Sequence, residues 1–387
     1  MYKFEDIIEE VKEFNTDLKY GLDDIIGVTI EKRLIPTIAN LTQTALDKFY
    51  IVKPQTFIYN PRTHGVRLGM GYNDTRNTYI TSWNNIAFRV KETAQNLVIP
   101  QYLWLYFCRP IWDRLTNFLA WGSSTIVFAW KDFLSIEIDL PSIEKQREIV
   151  AEYETLSNRI RTNTQMIEKL EATAQALYRK MFVDGIDKEN LPDGWRMGTL
   201  GEICSKIGSG ATPKGGKDGY SDVGVSLIRS MNVFDFNFCY DDLAHISDKQ
   251  AKKLDSVTVE KNDVLFNITG ASVARCCMVP DAILPARVNQ HVMIIRSNEK
   301  CMSYYILCVL CSDEAKQSLL GMSQSGSTRE AITKAEIESF QIIIPTTKLL
   351  EDFSDKVATI FSHINIQKQE ISKITELQSL LLARMGQ

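Results

Sequence analysis

Polar clusters suited to hydrogen bonding recur along the chain. Each combines amide, hydroxyl and guanidinium side chains within a few positions. Three lie in each half of the chain, at residues 62–67, 73–78, 83–85, 267–275, 287–291 and 323–330. Arg can bond a guanine edge through two hydrogen bonds, and Asn or Gln can bond adenine in the same way. One such cluster is more often a solvated loop, but clusters at matched places in two halves favour contact with DNA.

We predict a DNA-contacting set from these clusters, from the polar segment after Gly122 and from two segments of the second half near Gly208 and Arg229. Ser and Thr enter the set because hydroxyls frequently contact phosphate. The predicted set is Asn60, Arg62, Arg67, Arg76, Asn77, Asn84, Ser123, Ser124, Ser209, Thr212, Arg229, Asn232, Asn267, Thr269, Ser272, Arg275, Asn289, Gln290, Ser327, Thr328 and Arg329.

The glycine-rich segment 208–218 resembles a phosphate-binding loop but departs from its pattern. Such a loop needs a Lys directly followed by Ser or Thr, whereas Lys217 is followed by Asp218, whose charge repels phosphate. Nucleotide hydrolysis is therefore not expected. Two interpretations stay open: a flexible loop, or a loop whose amides, with Ser209 and Thr212, approach a DNA backbone.

The residue types also argue against catalysis by this chain. Segment 59–62 resembles part of an adenine methyltransferase motif, but its second proline and aromatic residue are missing. The four histidines, His64, His245, His291 and His363, are scattered, and each is expected to lie on the surface or in the core. We predict a protein that is not an enzyme and binds no cofactor or metal.

Composition limits the environment and the partners. Eight cysteines at spacings that suit no common zinc site favour packing thiols over metal ligands. The net charge of −4 counts against a dedicated nucleic-acid binder, although a local basic face is sufficient to attract phosphate. The sequence shows no signal peptide and no apolar run that spans a bilayer, so we expect a cytoplasmic protein without a membrane partner.

The elements that must position these clusters are themselves repeated. Pro345 follows Pro141 by 204 residues, and each proline leads into a long heptad-patterned segment. Each segment predicts a helix of about 40 residues, roughly 60 Å long. Asn163 and Gln367 interrupt the two apolar seams at the same offset, so we predict that they set the register of an antiparallel coiled coil. The alternative is that each helix packs on its own domain.

These patterns predict an α+β protein with two mixed α/β domains joined by two long helices that pack as an antiparallel coiled coil. The predicted segments are a first domain at 1–141, a first spacer helix at 142–183, a linker at 184–194, a second domain at 195–345 and a second spacer helix at 346–387. Matching strands at 86–90 and 292–296, and matching helices at 101–107 and 304–310, support the duplication.

With this layout, the chain resembles the specificity subunit of a type I restriction–modification system. The resemblance covers nearly the whole chain and rests on the duplication, on the entries Ile138-Asp139-Leu140-Pro141 and Ile342-Ile343-Ile344-Pro345, and on residues 264–272, 289–292 and 327–332. It implies two domains that each read one half of a bipartite, asymmetric site in double-stranded DNA, held apart by the antiparallel helices.

The resemblance also implies partners. Two methyltransferase subunits would dock on the helices and bind S-adenosylmethionine themselves, and ATP-driven restriction subunits would join that core. The first half departs from the pattern, because it has no clear copy of the loop at 208–219 and no Arg or Glu after Ser123 and Ser124. Two other functions remain as alternatives: a self-contained adenine DNA methyltransferase-associated protein, and a coiled-coil scaffold without DNA readout.

Overall fold

The chain folds into two compact units. The computed structural model describes residues 1–37, 44–63, 67–121, 126–213, 216–324 and 331–385. Unit 1 comprises residues 1–162 and the C-terminal segment from residue 370, and unit 2 comprises residues 163–369. Each of the two long helices therefore contributes residues to both units.

Unit 1 is built on an antiparallel sheet with the strand order β2-β9-β6-β7. Smaller ladders pair β3 with β4, β5 with β8 and β1 with β10. The strands are β1 (Tyr2–Lys3), β2 (Ile8–Glu10), β3 (Ile26–Val28), β4 (Leu34–Pro36), β5 (Tyr50–Val52), β6 (Phe57–Tyr59), β7 (Met70–Tyr72), β8 (Tyr79–Thr81), β9 (Ile86–Val90) and β10 (Glu137–Ile138). The helices are α1 (Phe4–Ile7), α2 (Pro100–Phe107), α3 (Pro110–Leu119), α4 (Trp130–Ser135) and α5 (Ile143–Phe182).

Unit 2 contains two four-stranded sheets, with the orders β12-β21-β18-β19 and β16-β13-β20-β17, and smaller ladders that pair β11 with β22 and β14 with β15. The strands are β11 (Arg196–Thr199), β12 (Cys204–Ser209), β13 (Val225–Ile228), β14 (Val233–Phe234), β15 (Asn237–Phe238), β16 (Ala244–Ile246), β17 (Thr258–Val259), β18 (Val264–Asn267), β19 (Cys276–Met278), β20 (Ala286–Val288), β21 (Val292–Ser297) and β22 (Gln341–Ile344). The helices are α6 (Leu200–Ile203), α7 (Asp248–Lys253), α8 (Met302–Leu310), α9 (Asp313–Gln324), α10 (Lys334–Glu338) and α11 (Thr347–Arg384).

The two units repeat one topology. The order β2-β9-β6-β7 in unit 1 matches β12-β21-β18-β19 in unit 2, strand for strand along the chain. Helices α2, α3 and α4 correspond to α8, α9 and α10, and each series is followed by one strand and one long helix. The predicted strand and helix pairs are therefore confirmed. The hairpin β14–β15 lies only in unit 2 among the described strands.

The cores use different side chains on this shared frame. In unit 1, buried aromatic rings cluster, with Phe4, Phe88 and Phe107 each within 6 Å of the ring centroid of Phe133. Such edge-to-face pairs add to the stabilisation that burial provides. In unit 2, the equivalent space is filled mainly by aliphatic residues such as Val264, Ile295 and Ile306. The topology thus tolerates a change of core chemistry.

The long helices pack against each other within each unit. In unit 1, Gln378 Nε2 donates to Ser157 Oγ at 2.7 Å, and Arg159 Nε lies 2.7 Å from Glu370 Oε1. In unit 2, the ring centroids of Phe182 and Phe353 are 5.0 Å apart. A second interaction in unit 2 is that of Glu171 with the charge of Lys368. In both units the later residue of α5 faces the earlier residue of α11, so the paired segments run antiparallel.

The predicted register pair is not joined by a hydrogen bond among the described contacts. Asn163 is buried, and its Nδ2 atom has no hydrogen-bond partner there, while Gln367 is half-buried. A buried amide without a partner costs stability, which suits a specifying role better than a stabilising one. The part of these residues in setting the register stays a prediction. None of the described helices is both long enough and apolar enough to cross a bilayer.

Candidate nucleic-acid interface

The topology of unit 2 gathers the predicted polar residues at one end of its two sheets. Strand β13 runs parallel to β20 with Ile228 opposite Val288, so the residues that follow both strands are neighbours. Ser209 pairs with Met293, and Asn267 pairs with Val292, which brings the ends of β12 and β18 to the same place. We call this surface the unit 2 polar end; it comprises Ser209, Thr212, Arg229, Thr269, Ser272, Arg275, Gln290 and His291.

Four side chains at the unit 2 polar end form a continuous hydrogen-bond chain. The Thr212 hydroxyl donates to Gln290 Oε1. Gln290 Nε2 lies 2.9 Å from His291 Nε2, and His291 Nδ1 lies 2.7 Å from Thr269 Oγ1. A neutral imidazole protonated on Nδ1 satisfies both of its contacts, because Nε2 accepts from the amide and Nδ1 donates to the hydroxyl. These contacts fix donors and acceptors from three separate loops in one arrangement.

The loop after β12 reaches this chain by a close backbone approach at Gly210. Its amide donates to Asn289 O at 3.1 Å. A Cβ atom at Gly210 would lie 1.7 Å from Val288 O, which is far inside a van der Waals contact. Only glycine therefore lets the chain pass here and place Thr212 beside Gln290. Of the flexible loop and the positioned loop, the structure favours the positioned loop for residues 209–213.

Three predicted residues of unit 2 are enclosed and support the loops from inside. Asn232 is fully buried and donates to Cys239 O and Asp241 O. Asn267 is fully buried and donates to Ser230 O and Val233 O. Asn289 accepts from the His291 amide at 3.0 Å and is 8% exposed. Their amides hold turns together, so a surface ligand reaches them less readily than the residues that they position.

The two arginines of the unit 2 polar end lie against aromatic rings. The guanidinium of Arg275 lies 4.9 Å from the ring centroid of Phe234, and that of Arg229 lies 5.6 Å from Tyr220. Arg229 also donates to Asp242 O, whereas its Nε atom is buried without a partner. Stacking of this kind holds an Arg in place while its outer N–H groups stay available.

Unit 1 forms a corresponding polar end where β6 finishes and β9 begins. Tyr59 pairs with Ile86, so the residues after β6 lie beside the turn before β9. Arg62 bridges to Val127, and the Phe128 amide donates to Pro61 O at 2.8 Å. The unit 1 polar end comprises Asn60, Arg62, Arg67, Trp83, Asn84 and Trp121. Most of this surface is accessible, since only Asn60 among these residues is not exposed.

Arg76 and Asn77 lie away from the unit 1 polar end. They belong to the turn between β7 and β8, next to the end of the hairpin where Phe57 pairs with Tyr72. Asn60 and Arg62 follow the opposite end of β6. The structure therefore does not bring the two predicted groups of unit 1 together.

The turns before β9 and β21 match in detail. In unit 1, the backbone amide of Asn84 donates to Ser82 Oγ at 3.3 Å, and in unit 2 the backbone amide of His291 donates to Asn289 Oδ1 at 3.0 Å. Trp83 and Gln290 thus hold the same position, as do Asn84 and His291. Similarly, Arg62 bridges to Val127 as Thr269 bridges to Ala331. The two polar ends are equivalent places with different side chains.

The predicted DNA-contacting set leaves out four residues at these ends. His291 lies in the polar cluster 287–291 but is not included in the predicted set, although its place two residues after Asn289 mirrors that of Asn84 after Ser82. Trp83 and Trp121 are 48% and 69% exposed, and Gly210 gives no polar signal. Five predicted residues, Ser123, Ser124, Ser327, Thr328 and Arg329, lie outside the described residues.

The electrostatics near the polar ends do not indicate a catalytic base. Tyr59 directly precedes Asn60, and burial, with the nearby charge of Glu10, raises the pKa of its phenol far above the usual value. This phenol therefore stays neutral. One group of three metal-type ligands occurs among the described residues, namely Asp235, Cys276 and Cys311 in unit 2. The carboxylate of this group is already paired with Lys316.

Comparisons with known proteins agree with this geometry. The family model of the type I restriction modification DNA specificity domain matches residues 6–172 and again residues 192–376. The chain is 24% identical over 306 residues to the specificity subunit of the type I restriction enzyme MjaIX of Methanocaldococcus jannaschii, covering 74% of this chain and 68% of that protein. It is 20% identical over 368 residues to the HindI specificity subunit of Haemophilus influenzae, covering 77% and 79%.

A solved structure has the same fold. The crystal structure of the S subunit of a type I restriction–modification system from M. genitalium aligns with a TM-score of 0.56 at 13% identity, covering 100% of this chain and 95% of that one. The family model accounts for both halves of the chain and leaves residues 173–191 between them unmatched. The chain belongs to the family of type I restriction–modification DNA specificity subunits, which recognise DNA sequence and are not catalytic.

Proposed function

We propose that this chain reads a bipartite, asymmetric site in double-stranded DNA, with one half-site read by each polar end. The observation that carries the proposal is that one topology occurs twice and presents different side chains at equivalent positions. Two identical surfaces would suit a symmetric site, whereas Trp83 and Asn84 in place of Gln290 and His291 suit two unlike half-sites.

The unit 2 polar end offers a fixed set of amide, hydroxyl and imidazole groups. Gln290 is bonded on both sides, by Thr212 and by His291, so its amide is held in one orientation. A pre-oriented amide loses less conformational entropy when it bonds a base. Gln suits adenine through two hydrogen bonds, and Arg275, stacked on Phe234, suits guanine or phosphate.

The unit 1 polar end offers exposed cations and aromatic rings in place of that network. Arg62 and Arg67 can neutralise phosphates or bond a guanine edge. The indole rings of Trp83 and Trp121 are exposed, and aromatic rings of this kind pack on sugars or bases at protein–DNA interfaces. We propose Arg62, Arg67, Trp83 and Asn84 as the principal contacts of this end.

We propose that the long helices form one continuous antiparallel coiled coil that sets the distance between the half-sites. The antiparallel contacts within each unit support this arrangement, with domain limits at 1–141, 142–183, 184–194, 195–345 and 346–387. A rigid spacer of this kind fixes the number of unread base pairs, as dimer geometry does in other DNA-binding proteins.

We propose that the helices also dock two methyltransferase subunits, which bind S-adenosylmethionine, and that restriction subunits join this core. In unit 1, Leu377 and Leu380 of α11 are 51% and 52% exposed beside Ala151 and Leu156 of α5. Exposed leucines in a groove between helices are typical of a protein–protein contact. Replacing Leu377 and Leu380 with Gln should abolish co-purification of the methyltransferase subunit, whereas replacing the equally apolar Leu320 of α9 should not.

The DNA-reading proposal is tested by co-expression with the methyltransferase subunit followed by methylome sequencing. The wild-type chain should direct adenine methylation at one bipartite, asymmetric motif. The pair Arg62→Ala with Asn84→Ala should relax only one half of that motif, and Thr212→Ala with Gln290→Ala only the other.

The control uses Arg76→Ala with Asn77→Ala, which removes similar groups from the opposite end of the unit 1 hairpin. This pair should leave the motif unchanged. An unaltered motif in both polar-end variants, or a motif changed by the control pair, would contradict the proposal.

Inserting one helical turn between Ile149 and Leu156 should lengthen the unread spacer or abolish methylation, and an unchanged spacer would refute the role of the helices.

A further inference from the structure

Two thiols and a carboxylate meet in unit 2 behind the polar end. Cys276 begins β19, Cys311 follows α8, and Asp235 lies in the turn between β14 and β15. Cys276 Sγ and Cys311 Sγ are 3.3 Å apart, and Asp235 Oδ1 is 3.9 Å from Cys311 Sγ. Cys276 is buried, while Cys311 is partly exposed. The pair is thus in contact, and one of its members can be reached from solvent.

A lysine supplies the positive charge of this group. Lys316 Nζ lies 2.6 Å from Asp235 Oδ1 and also donates to Ala274 O. Its side chain is 19% exposed. The ammonium occupies the position beside the carboxylate where a bound cation would need to sit, and it would repel that cation. The arrangement therefore favours thiol chemistry over metal binding.

We propose that Cys276 and Cys311 are a peroxide-sensitive thiol pair that closes into an intramolecular disulfide. A disulfide has a sulfur–sulfur distance of about 2.05 Å, so the two atoms must approach by about 1 Å. Cys311 is the sulfur that peroxide meets first, because Cys311 is partly exposed whereas Cys276 is buried. Cys276 is the resolving thiol, because no other sulfur lies as close among the described contacts.

The reaction balances with a hydroperoxide as the oxidant. The Cys311 thiolate attacks one peroxide oxygen, the O–O bond breaks, and the other oxygen leaves as water or alcohol to give a sulfenic acid. Cys276 then attacks the Cys311 sulfur, the S–O bond breaks, and water leaves. Two thiols are oxidised by two electrons, and the peroxide is reduced by two electrons.

The position of the pair connects it with the unit 2 polar end. Cys276 directly follows Arg275, and the backbone amide of Asn267 donates to Arg275 O. Lys316 ties helix α9 to Ala274 in the same connection. Movement of Cys276 towards Cys311 would displace Arg275 and Ala274, so we expect oxidation to weaken DNA binding by unit 2. This consequence rests on the proposed function, whereas formation of the disulfide does not.

The test treats the full-length chain with hydrogen peroxide and maps its peptides by mass spectrometry without reduction. The expected product is a single 276–311 cross-link that a thiol reductant reverses. Burial raises the pKa of the Cys311 thiol, so the rate should increase as pH rises from about 7 to about 9 and more thiolate forms. Cys301→Ser, which removes a different partly exposed thiol, should leave the cross-link unchanged.

Two variants separate the roles of the thiols. Cys311→Ser should give no cross-link, and Cys276→Ala should leave a sulfenic acid on Cys311 that a dimedone probe captures. Circular dichroism spectra that match the wild type show that both variants are folded. Oxidation at other cysteines without a 276–311 cross-link would overturn the thiol pair.

A separate measurement tests the link with DNA. Oxidised wild-type protein should bind double-stranded DNA more weakly than reduced wild-type protein. The Cys311→Ser variant should bind this DNA equally well under oxidising and reducing conditions. Equal binding by oxidised and reduced wild type, with the cross-link present, would overturn the link alone. Absence of DNA binding in the reduced protein would instead count against the proposed function.

Discussion

The polar ends of the two units lie at the same position in the same topology but carry different side chains. In unit 2, Thr212, Gln290, His291 and Thr269 bond one another in a continuous chain. In unit 1, Arg62 and Asn84 occupy the places of Thr269 and His291, and they are exposed. One end is a network ordered before any ligand arrives, and the other is an open surface of cations and aromatic rings.

The difference shows which parts of a unit carry the frame and which carry the readout. The strand pairing and the turn before β9 or β21 are common to both units. The side chains that project from that turn are not. A unit can therefore change its target by exchanging loop residues while its sheet and core remain intact, which is the usual relation between scaffold and site.

The largest expected effect is that of Gly210→Ala, which disrupts the close backbone approach at this glycine in unit 2. The new methyl group would meet the backbone of Val288 and push the Thr212 loop away from Gln290. We expect unit 2 to lose about 1–3 kcal/mol of stability, as overpacking typically costs, and its half-site to disappear from the methylated motif. Calorimetry and methylome sequencing measure the two effects. Gly208→Ala is the control, because a Cβ there meets nothing within 4 Å; equal damage from both changes would refute the close-approach argument.

Single substitutions at the equivalent turn positions should separate the two readouts. Removing one base-reading side chain is expected to cost about 1–3 kcal/mol, which is about 5-fold to 150-fold in affinity for the correct half-site. His291→Ala should relax the unit 2 half-site alone, and Asn84→Ala the unit 1 half-site alone. Competition binding with duplexes altered in one half measures this. If either variant affected both halves equally, the independence of the polar ends would be wrong.

The short helices α10 and α4 differ in their N-caps, and this difference can be reversed. The Thr333 hydroxyl accepts from the Glu336 backbone amide, whereas the N-cap residue of α4, Ala129, provides no side-chain cap. Thr333→Ala should destabilise unit 2 by about 1 kcal/mol, and Ala129→Ser should stabilise unit 1 by about 0.5 kcal/mol. Thermal unfolding followed by hydrogen exchange assigns each change to its unit. Stabilisation by Thr333→Ala, or destabilisation by Ala129→Ser, would contradict the assignment of the caps.

The smallest effects concern charges on the paired helices. Arg159 and Glu370 in unit 1 form a largely solvent-accessible ion pair, so Arg159→Gln should lower the free energy of unfolding only slightly, and the loss should vanish in high salt. In unit 2, burial raises the pKa of Glu171 despite the charge of Lys368. A raised pKa means that ionisation costs more in the folded state than in the unfolded state.

The sign of the pH dependence at Glu171 follows from that shift. The stability that its neutral form retains below the unfolded-state pKa, about 4.3, is lost as pH rises through the folded pKa. Glu171→Gln stays neutral, so its stability relative to wild type should increase between about pH 4 and about pH 7. Denaturant unfolding at the two pH values measures this. A relative stability that falls with pH would show that Lys368 outweighs burial.

The sequence predicts the long helices and the repeated strands, but it does not indicate how the polar side chains are placed relative to one another. The heptad pattern predicts the first long helix at 142–183, and the helix spans Ile143–Phe182, because such a pattern is a local property of the sequence. Arg76 and Asn77 have the same residue types as the polar-end residues, yet strand direction places them at the other end of β7. Asn232 and Asn267 resemble reading residues in composition, and only their burial shows that they hold turns.

The amino-acid sequence by itself determined the duplication, the long helices and the choice of hydrogen bonding over catalysis, because periodicity and residue type can be read locally. The tertiary structure decided which polar groups work together. Thr212 and Gln290 are 78 residues apart in the chain, and they meet because β13 lies parallel to β20 and Gly210 lets the backbone pass. Pairing between distant strands depends on the packing of whole sheets, so the composition of any single segment does not reveal it.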